Sequence, residues 1–313
     1  MSNNFILLSH WNGRFGNRLH QYAYGVTYSK LNNTPFVLPS DWEGTRLFKT
    51  QYHIVSPNDD LRLRLNQTNK ELGTIEYRKT SIEQHYPSAR RINPDIKNEN
   101  YAAYNHPVYF DSVCAYSEHI FTPMSKQHLL KVFEFSDEVK NTEAYKFWSE
   151  RNGTYNIAHL RRDDISNAEY NKNNPQGYSV ISVDSYKKAF EKFGIDESDI
   201  MWISDDRTGK WFTPNEPALN FGWTYPFGSH YRNGYVYDWL SDFLKLYFAK
   251  TIFRANSSFS WWAAFLSPTV TVYSPVLDKQ VIYGIDGLEE IDVEFVEGNH
   301  PHWMYGQPDI LIN

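Results

Sequence analysis

Apolar and polar positions fall into short blocks along the chain. The run FILLSHW (residues 5–11) is apolar and ends in polar residues, which predicts a buried strand. After the Gly/Arg/Asn-rich segment that follows, Leu19, Tyr22, Ala23 and Val26 recur at helical spacing. TPFVLPS (34–40) then predicts a second strand. Strand, loop, helix and strand in that order form the opening unit of a parallel sheet flanked by helices. Residues 40–145 are polar, with clusters of Asn and charge, and predict only the remainder of an N-terminal α/β domain.

From about residue 150 the pattern is regular. TYNIAHL (154–160) predicts a strand running into RRDD, and SVDSYKKAFEKFG (182–194) a helix with Ser182 or Asp184 as N-cap and Gly194 at its end. DIMWIS (199–204) is a strand entering DDRTGKW, and YDWLSDFLKLYFAK (237–250) a helix. TIFRAN (251–256) is a strand, SFSWWAAFL a short helix and TVTVYSP (269–275) a final strand. Alternating strands and helices predict a second, doubly wound parallel domain, and 313 residues favour two domains, drawn at 1–150 and 151–313. Three polar clusters follow successive strands of the second domain. Ligands bind at the carboxyl ends of strands in such sheets, so these clusters are candidates for one site.

Composition narrows the function classes. Hydrophobic residues make up 41% and charged residues 22%, which supports packed cores rather than disorder. A net charge of -6 argues against a nucleic-acid partner, which calls for a basic face. Aromatics reach 17%, with 23 Tyr and 10 Trp. Most are expected in the cores; the sharper reading is a sugar-binding surface, because flat rings cover the apolar faces of pyranosides. A single cysteine, Cys114, excludes an intramolecular disulfide and a Cys-based zinc site. No run reaches the roughly 18 apolar residues of a membrane span. MSNNFILLSHW lacks the regions of a secretory signal, so a reduced, cytoplasmic compartment is the expectation.

The polar clusters carry the candidate chemistry. In HLRRDD (159–164), strand alternation puts His159 and Arg161 on one face and Leu160 and Arg162 on the other. Adjacent arginines at a strand end are costly to bury without anions. They read either as a surface network with Asp163 and Asp164, or as a phosphate clamp whose guanidinium forks match phosphate oxygens. In ISDD (203–206), Asp205 or Asp206 caps the next helix, accepts hydrogen bonds from a ribose or guanine edge, or holds a metal. The metal reading is disfavoured because the chain has no Asp-x-Asp triplet. NSSFSWWAAFL (256–266) puts hydroxyl residues at a helix start, where N–H groups and hydroxyls suit a diphosphate; plain N-capping with core aromatics is the alternative. Phe259, Trp261 and Trp262 are either core or a shelf for a base. GRFGN (13–17) is a weak G-x-x-G, neither a dinucleotide fingerprint nor a P-loop. His20 reads as structural. The chain has no Gly-x-Ser-x-Gly elbow and no His-Glu-x-x-His, which removes serine-hydrolase and metalloprotease readings.

Together, GRFGNRLHQYAYG, HLRRDD, SDD with a following Trp, and NSSFSWWAAFL occur in an order and spacing that resembles the alpha-1,2-fucosyltransferase family. The first motif also resembles the Gly-Arg-Phe-Gly-Asn of protein O-fucosyltransferases. The four motifs span residues 13 to 266, and the Asn-Ser-Ser-Phe-Ser-Trp-Trp run is the most specific. The resemblance implies a GT-B architecture, two Rossmann-like domains facing across a cleft. It also implies GDP-fucose as donor, a glycan acceptor, inversion at the anomeric carbon and no metal. His159, Arg161 and Arg162 match the family's His-x-Arg-Arg, Asp164 its acid, and Asp205 and Asp206 its Ser-Asp-Asp.

On this basis Arg161 is expected to hold the β-phosphate, with Arg162 beside it and Ser257 and Ser258 at the diphosphate; Asn256 and Phe259 complete the donor-binding set. His159 and one of Asp205 and Asp206 are expected at the guanosine. Arg14 and Asn17 are expected to reach the phosphate or the fucose from the N-terminal domain. Asp164 and His20 are the candidate bases for the acceptor hydroxyl. Three positions depart from the family pattern: Asp163 for Gly, Arg18 for Gln and His20 for Phe. The last two mark the expected source of this chain's own specificity. Two rival readings are a GT-B transferase using another nucleotide sugar and a non-catalytic glycan-binding protein.

Overall fold

The structure is a computed structural model that describes residues 5–9, 11, 13–38, 42–55, 90–92, 108–110, 123–162, 180–205, 238–268, 270–276 and 290–300. The chain divides into two compact units, Met1–Val139 and Lys140–Asn313.

The first unit is built on a parallel sheet whose middle strand is the apolar run β1 (Ile6–Leu8). β1 pairs with β2 (Phe36–Leu38) on one side and β5 (Val108–Phe110) on the other. β3 (Ile54–Val55) and β4 (Arg90–Arg91) complete the order β3-β2-β1-β5-β4. Between β1 and β2 runs α1 (Phe15–Asn32), whose residues are buried on nearly every side up to Tyr28. Gly25 permits this depth: a Cβ there would stand 2.2 Å from the Phe36 ring, so only glycine lets the helix lie this close to β2. Asn33, left-handed at φ 48°, ends the helix and returns its N–H to the Ser29 carbonyl. The short α2 (Gly44–Leu47), α3 (Pro123–Val132) and α4 (Asp137–Lys140) follow.

The second unit opens with α5 (Glu143–Ser149), capped by Thr142 and joined to this unit by Tyr145 packing edge-on against Phe248. Its main sheet runs in the order β12 (Glu294–Glu297), β10 (Thr271–Val276), β9 (Thr251–Phe253), β6 (Asn156–Leu160) and β8 (Ile200–Ser204). The central strand β6 pairs in parallel with β8 and β9, and β9 with β10. α6 (Val183–Lys192) starts at Ser182, whose hydroxyl accepts from the Ser185 N–H, and ends before Gly194 at φ +68°. Of the two N-cap candidates, Ser182 takes the position. α7 (Asp238–Tyr247) and α8 (Ser258–Leu266) pack against each other. The core joins Ala158 and Leu160 of β6 to Tyr186, Ala189 and Phe190 of α6 and to Phe253 and Phe295.

The expected all-parallel second domain is corrected at its edge. β10 is not the last strand: β12 (Glu294–Glu297) adds antiparallel to it, and β11 (Glu290–Ile291) makes a separate parallel pair with β7 (Val180–Ile181). Glu290, Ile291 and Glu294–Glu297 combine charged and apolar residues in two- and four-residue runs, too short to show a strand period.

Candidate functional site

The parallel pairing of β6, β8 and β9 brings three of the sequence clusters to one edge of the second unit's sheet. Arg161 and Arg162 follow the last residue of β6, Asp205 the last of β8, and Asn256 and Ser257 lie just beyond β9. Direct contacts join them. The Arg162 N–H donates to Asp205 Oδ1 at 2.6 Å, and Arg161 Nη1 donates to the Asn256 carbonyl at 3.3 Å. The His159 ring lies 6.0 Å from that of Phe259, centroid to centroid.

The two arginines have different surroundings. Arg162 is buried; its Nη2 donates to the Ile181 carbonyl at 2.7 Å and lies 3.7 Å from a Glu290 carboxylate oxygen. It therefore braces β6 against the two-stranded β7–β11 sheet. Arg161 is half-buried and stands over the turn into α8. Asp205 is half-buried, and one of its oxygens secures the Arg162 backbone.

At the start of α8, Ser257 is the N-cap: its hydroxyl accepts from the Phe259 N–H at 3.3 Å. Asn256 and Ser257 are buried, whereas Ser258 and Phe259 are half-buried. Trp261 and Trp262 are fully buried, which assigns them to the core. Of the three aromatics Phe259 is the half-buried one, with Phe243 at 5.3 Å, Trp239 at 6.2 Å and His159 around it.

Two residues that the sequence reading passed over support this edge from below. The Tyr186 hydroxyl donates to the His159 carbonyl at 2.8 Å, and burial raises its pKa, so it stays a neutral donor. Arg254 is completely buried, and desolvation lowers its pKa to about 9, which leaves it cationic at neutral pH. Its Nη2 donates to Ser274 Oγ at 2.9 Å and to the His300 carbonyl. Asn299 and Trp261 exchange side-chain-to-carbonyl hydrogen bonds at 3.1 and 3.2 Å, fastening the 298–300 segment beneath α8. An arginine between apolar neighbours in a strand-like run was the only available signal.

In the first unit, Gly13 adopts φ +68° and Arg14 is the exposed N-cap of α1, which has no side-chain cap and no acidic residue in its first turn. The positive end of that helix thus favours an anion. Asn17 is half-buried, and its backbone N–H bonds the Arg14 carbonyl at 2.9 Å. Arg18 and His20 do not face outward as specificity residues would. Arg18 is buried against Glu43, and His20 is fully buried with its pKa lowered by desolvation to about 3. A neutral imidazole sealed in the core cannot take a proton from a substrate, which removes His20 as a base. Asp163, Asp164 and Asp206 lie outside the described residues.

Among the described residues, no three His, Cys, Asp or Glu side chains gather as a metal site, and no helix is long and apolar enough to cross a membrane.

No protein-family model and no curated protein matches the chain. Among solved structures, the NodZ alpha-1,6-fucosyltransferase soaked with GDP-fucose is 13% identical, with 94% of this chain and 99% of that chain covered at a TM-score of 0.49. Fucosyltransferase NodZ from Bradyrhizobium is 12% identical over 94% and 99%, again with a TM-score of 0.49. An Arabidopsis thaliana FUT1 mutant in complex with GDP is 8% identical over 89% of this chain and 72% of its own, at 0.45. With TM-scores of 0.49 or less, no residue's role transfers from any of the three.

Proposed function

We propose that the chain is a metal-independent, inverting glycosyltransferase that moves L-fucose from GDP-fucose to a hydroxyl of a glycan acceptor, the 2-OH of a galactoside. The observation that carries this reading is the contact between Arg161 and Asn256, which joins the Arg-Arg motif to the Ser-Ser helix start at the carboxyl edge of a parallel sheet. Four motifs in the order of a fucosyltransferase supply the chemical identity.

The transfer forms a bond from the acceptor oxygen to the anomeric carbon and breaks the bond from that carbon to the β-phosphate oxygen. Charge grows on the departing diphosphate, and the ring becomes oxocarbenium-like. Without a metal, fixed cations and N–H donors must meet that charge. Arg161 takes the β-phosphate, and the Ser257–Ser258 start of α8 takes the diphosphate. His159, Phe259 and one of Asp205 and Asp206 hold the guanosine, while Arg162 keeps Arg161 and Asp205 in register. Arg14 and Asn17 act on the transferred sugar or its phosphate. With His20 sealed in the core, Asp164 is the remaining candidate to receive the acceptor proton.

Mass spectrometry of products from GDP-fucose and an array of galactosides tests the reading. A galactoside heavier by one deoxyhexose, with GDP released, is the expected result. Transfer only from a different nucleotide sugar would replace the donor, and GDP binding without any product would point to a glycan-binding protein.

A further inference from the structure

Arg18 is an expensive residue to bury. It is 8% exposed and its partner Glu43 3%, and Arg18 Nη1 meets the two carboxylate oxygens at 3.0 and 2.8 Å. Desolvating both charges consumes most of what their attraction returns, so stability alone is a poor reason for such a pair. Its surroundings supply a better one. Arg18 Nε donates to the Gly13 carbonyl at 3.4 Å, and both the Asn17 and Arg18 N–H groups bond the Arg14 carbonyl. Gly13 is folded so tightly that a Cβ would stand 2.2 Å from Asn17 Nδ2.

Glu43 is itself held in place. Its carbonyl accepts from the Arg46 and Leu47 N–H groups at 3.1 and 3.2 Å. Its neighbour Trp42 stacks on Trp11 at 4.6 Å and on Tyr22 at 4.8 Å. The Gly13 turn is thus pinned on both sides by consecutive residues: Trp11 before it rests on Trp42, and Arg18 after it is gripped by Glu43.

We propose that Glu43 is a positioning residue that acts through Arg18 to hold the Gly13–Asn17 turn in the shape from which Arg14 and Asn17 serve sugar transfer. Its effect on rate rests on the fucosyltransferase reading; its effect on the turn does not.

The test uses Glu43→Gln, which keeps the shape and removes the charge, and Arg18→Gln/Glu43→Gln, which removes both charges so that neither is left buried alone. Hydrogen exchange of peptides covering residues 11–25 is expected to quicken about tenfold or more at 13–18 in Glu43→Gln. Unchanged exchange there would overturn the proposal. The turnover number for fucosyl transfer per folded molecule is expected to fall about tenfold or more, as for a small misplacement of reacting groups, with the Kd for GDP within about twofold. A lowered melting temperature with unchanged turnover would make Glu43 merely structural. The double variant should regain melting temperature but not turnover; recovery of turnover would also overturn the proposal. Should the wild-type protein transfer no fucose, the donor reading fails, and exchange at residues 13–18 alone decides whether Glu43 holds the turn.

Discussion

Arg161 donates from Nη1 to the carbonyl oxygen of Asn256 at 3.3 Å, across 95 positions of sequence. The bond aims one guanidinium at the start of α8 while its neighbour Arg162 is turned into the protein toward Ile181 and Glu290. A pair that looks equivalent in sequence is therefore divided into a half-buried cation and a buried brace.

Substitution should separate these two roles. Arg161→Ala is expected to cost about 10²–10³ in turnover, the effect of removing one preorganised donor, roughly 3–4 kcal/mol. Its folding stability should change by only about 1 kcal/mol, since one hydrogen bond is lost from a half-buried group. Arg162→Met should instead destabilise by about 1–3 kcal/mol, because the Ile181 carbonyl loses its charged donor, with a turnover loss smaller than that of Arg161→Ala. GDP-release rates beside thermal melts check both, and near-normal turnover in Arg161→Ala would sink the phosphate assignment.

Ser257→Ala removes the cap of α8. A loss of about 0.5–2 kcal/mol in stability is expected from the cap alone. The proposed diphosphate site predicts a second effect: GDP affinity, measured by calorimetry well below the melting temperature, should also weaken. Unaltered affinity would leave Ser257 as a cap and nothing more.

Acid should destabilise the first unit. Burial lowers the pKa of His20 to about 3 and that of His53 to about 4, so both are neutral in the fold, whereas the unfolded chain takes up protons below about pH 6.5. Stability is therefore full above that pH and declines as pH falls toward the folded values. The His20 share amounts to about 1.4 kcal/mol per pH unit. His20→Phe removes that share. Its urea midpoint should drop less between pH 7 and pH 5 than that of the wild type, and an equal drop would contradict a neutral buried His20.

Transfer should survive EDTA, because the proposed site meets the diphosphate with Arg161 and backbone donors. Activity lost on chelation and restored by manganese would show that a cation shares that task.

The order β1, α1, β2 and that of β6, α6, β8, α7, β9, α8 and β10 was legible because each of these segments carries its own signal, whereas the polar stretch 40–145 concealed β3, β4, β5 and α2–α4. The period of Leu19, Tyr22, Ala23 and Val26 marks α1, and Ser182 and Gly194 bracket α6 with a cap and a left-handed end. The chain also placed its polar clusters behind strands, and parallel pairing of β6 with β8 and β9 then brings three of them to one edge. Segments as short as β11 and β12 carry no such period, so the antiparallel edge was not visible.

By itself, then, the sequence determined which residues are chemically able to form a site, since residue type and local spacing need no partner to be read. Tertiary structure decided which of them are available. Burial moved Arg18, His20, Trp261 and Trp262 inside and left Phe259 and Arg161 half-exposed. It also recruited Glu43 and Arg254, whose meaning lies in partners distant in sequence: Arg18, 25 positions from Glu43, and Ser274 and His300, 20 and 46 positions from Arg254. The cost of burying a charge depends on what surrounds it, and those surroundings exist only once the chain has folded.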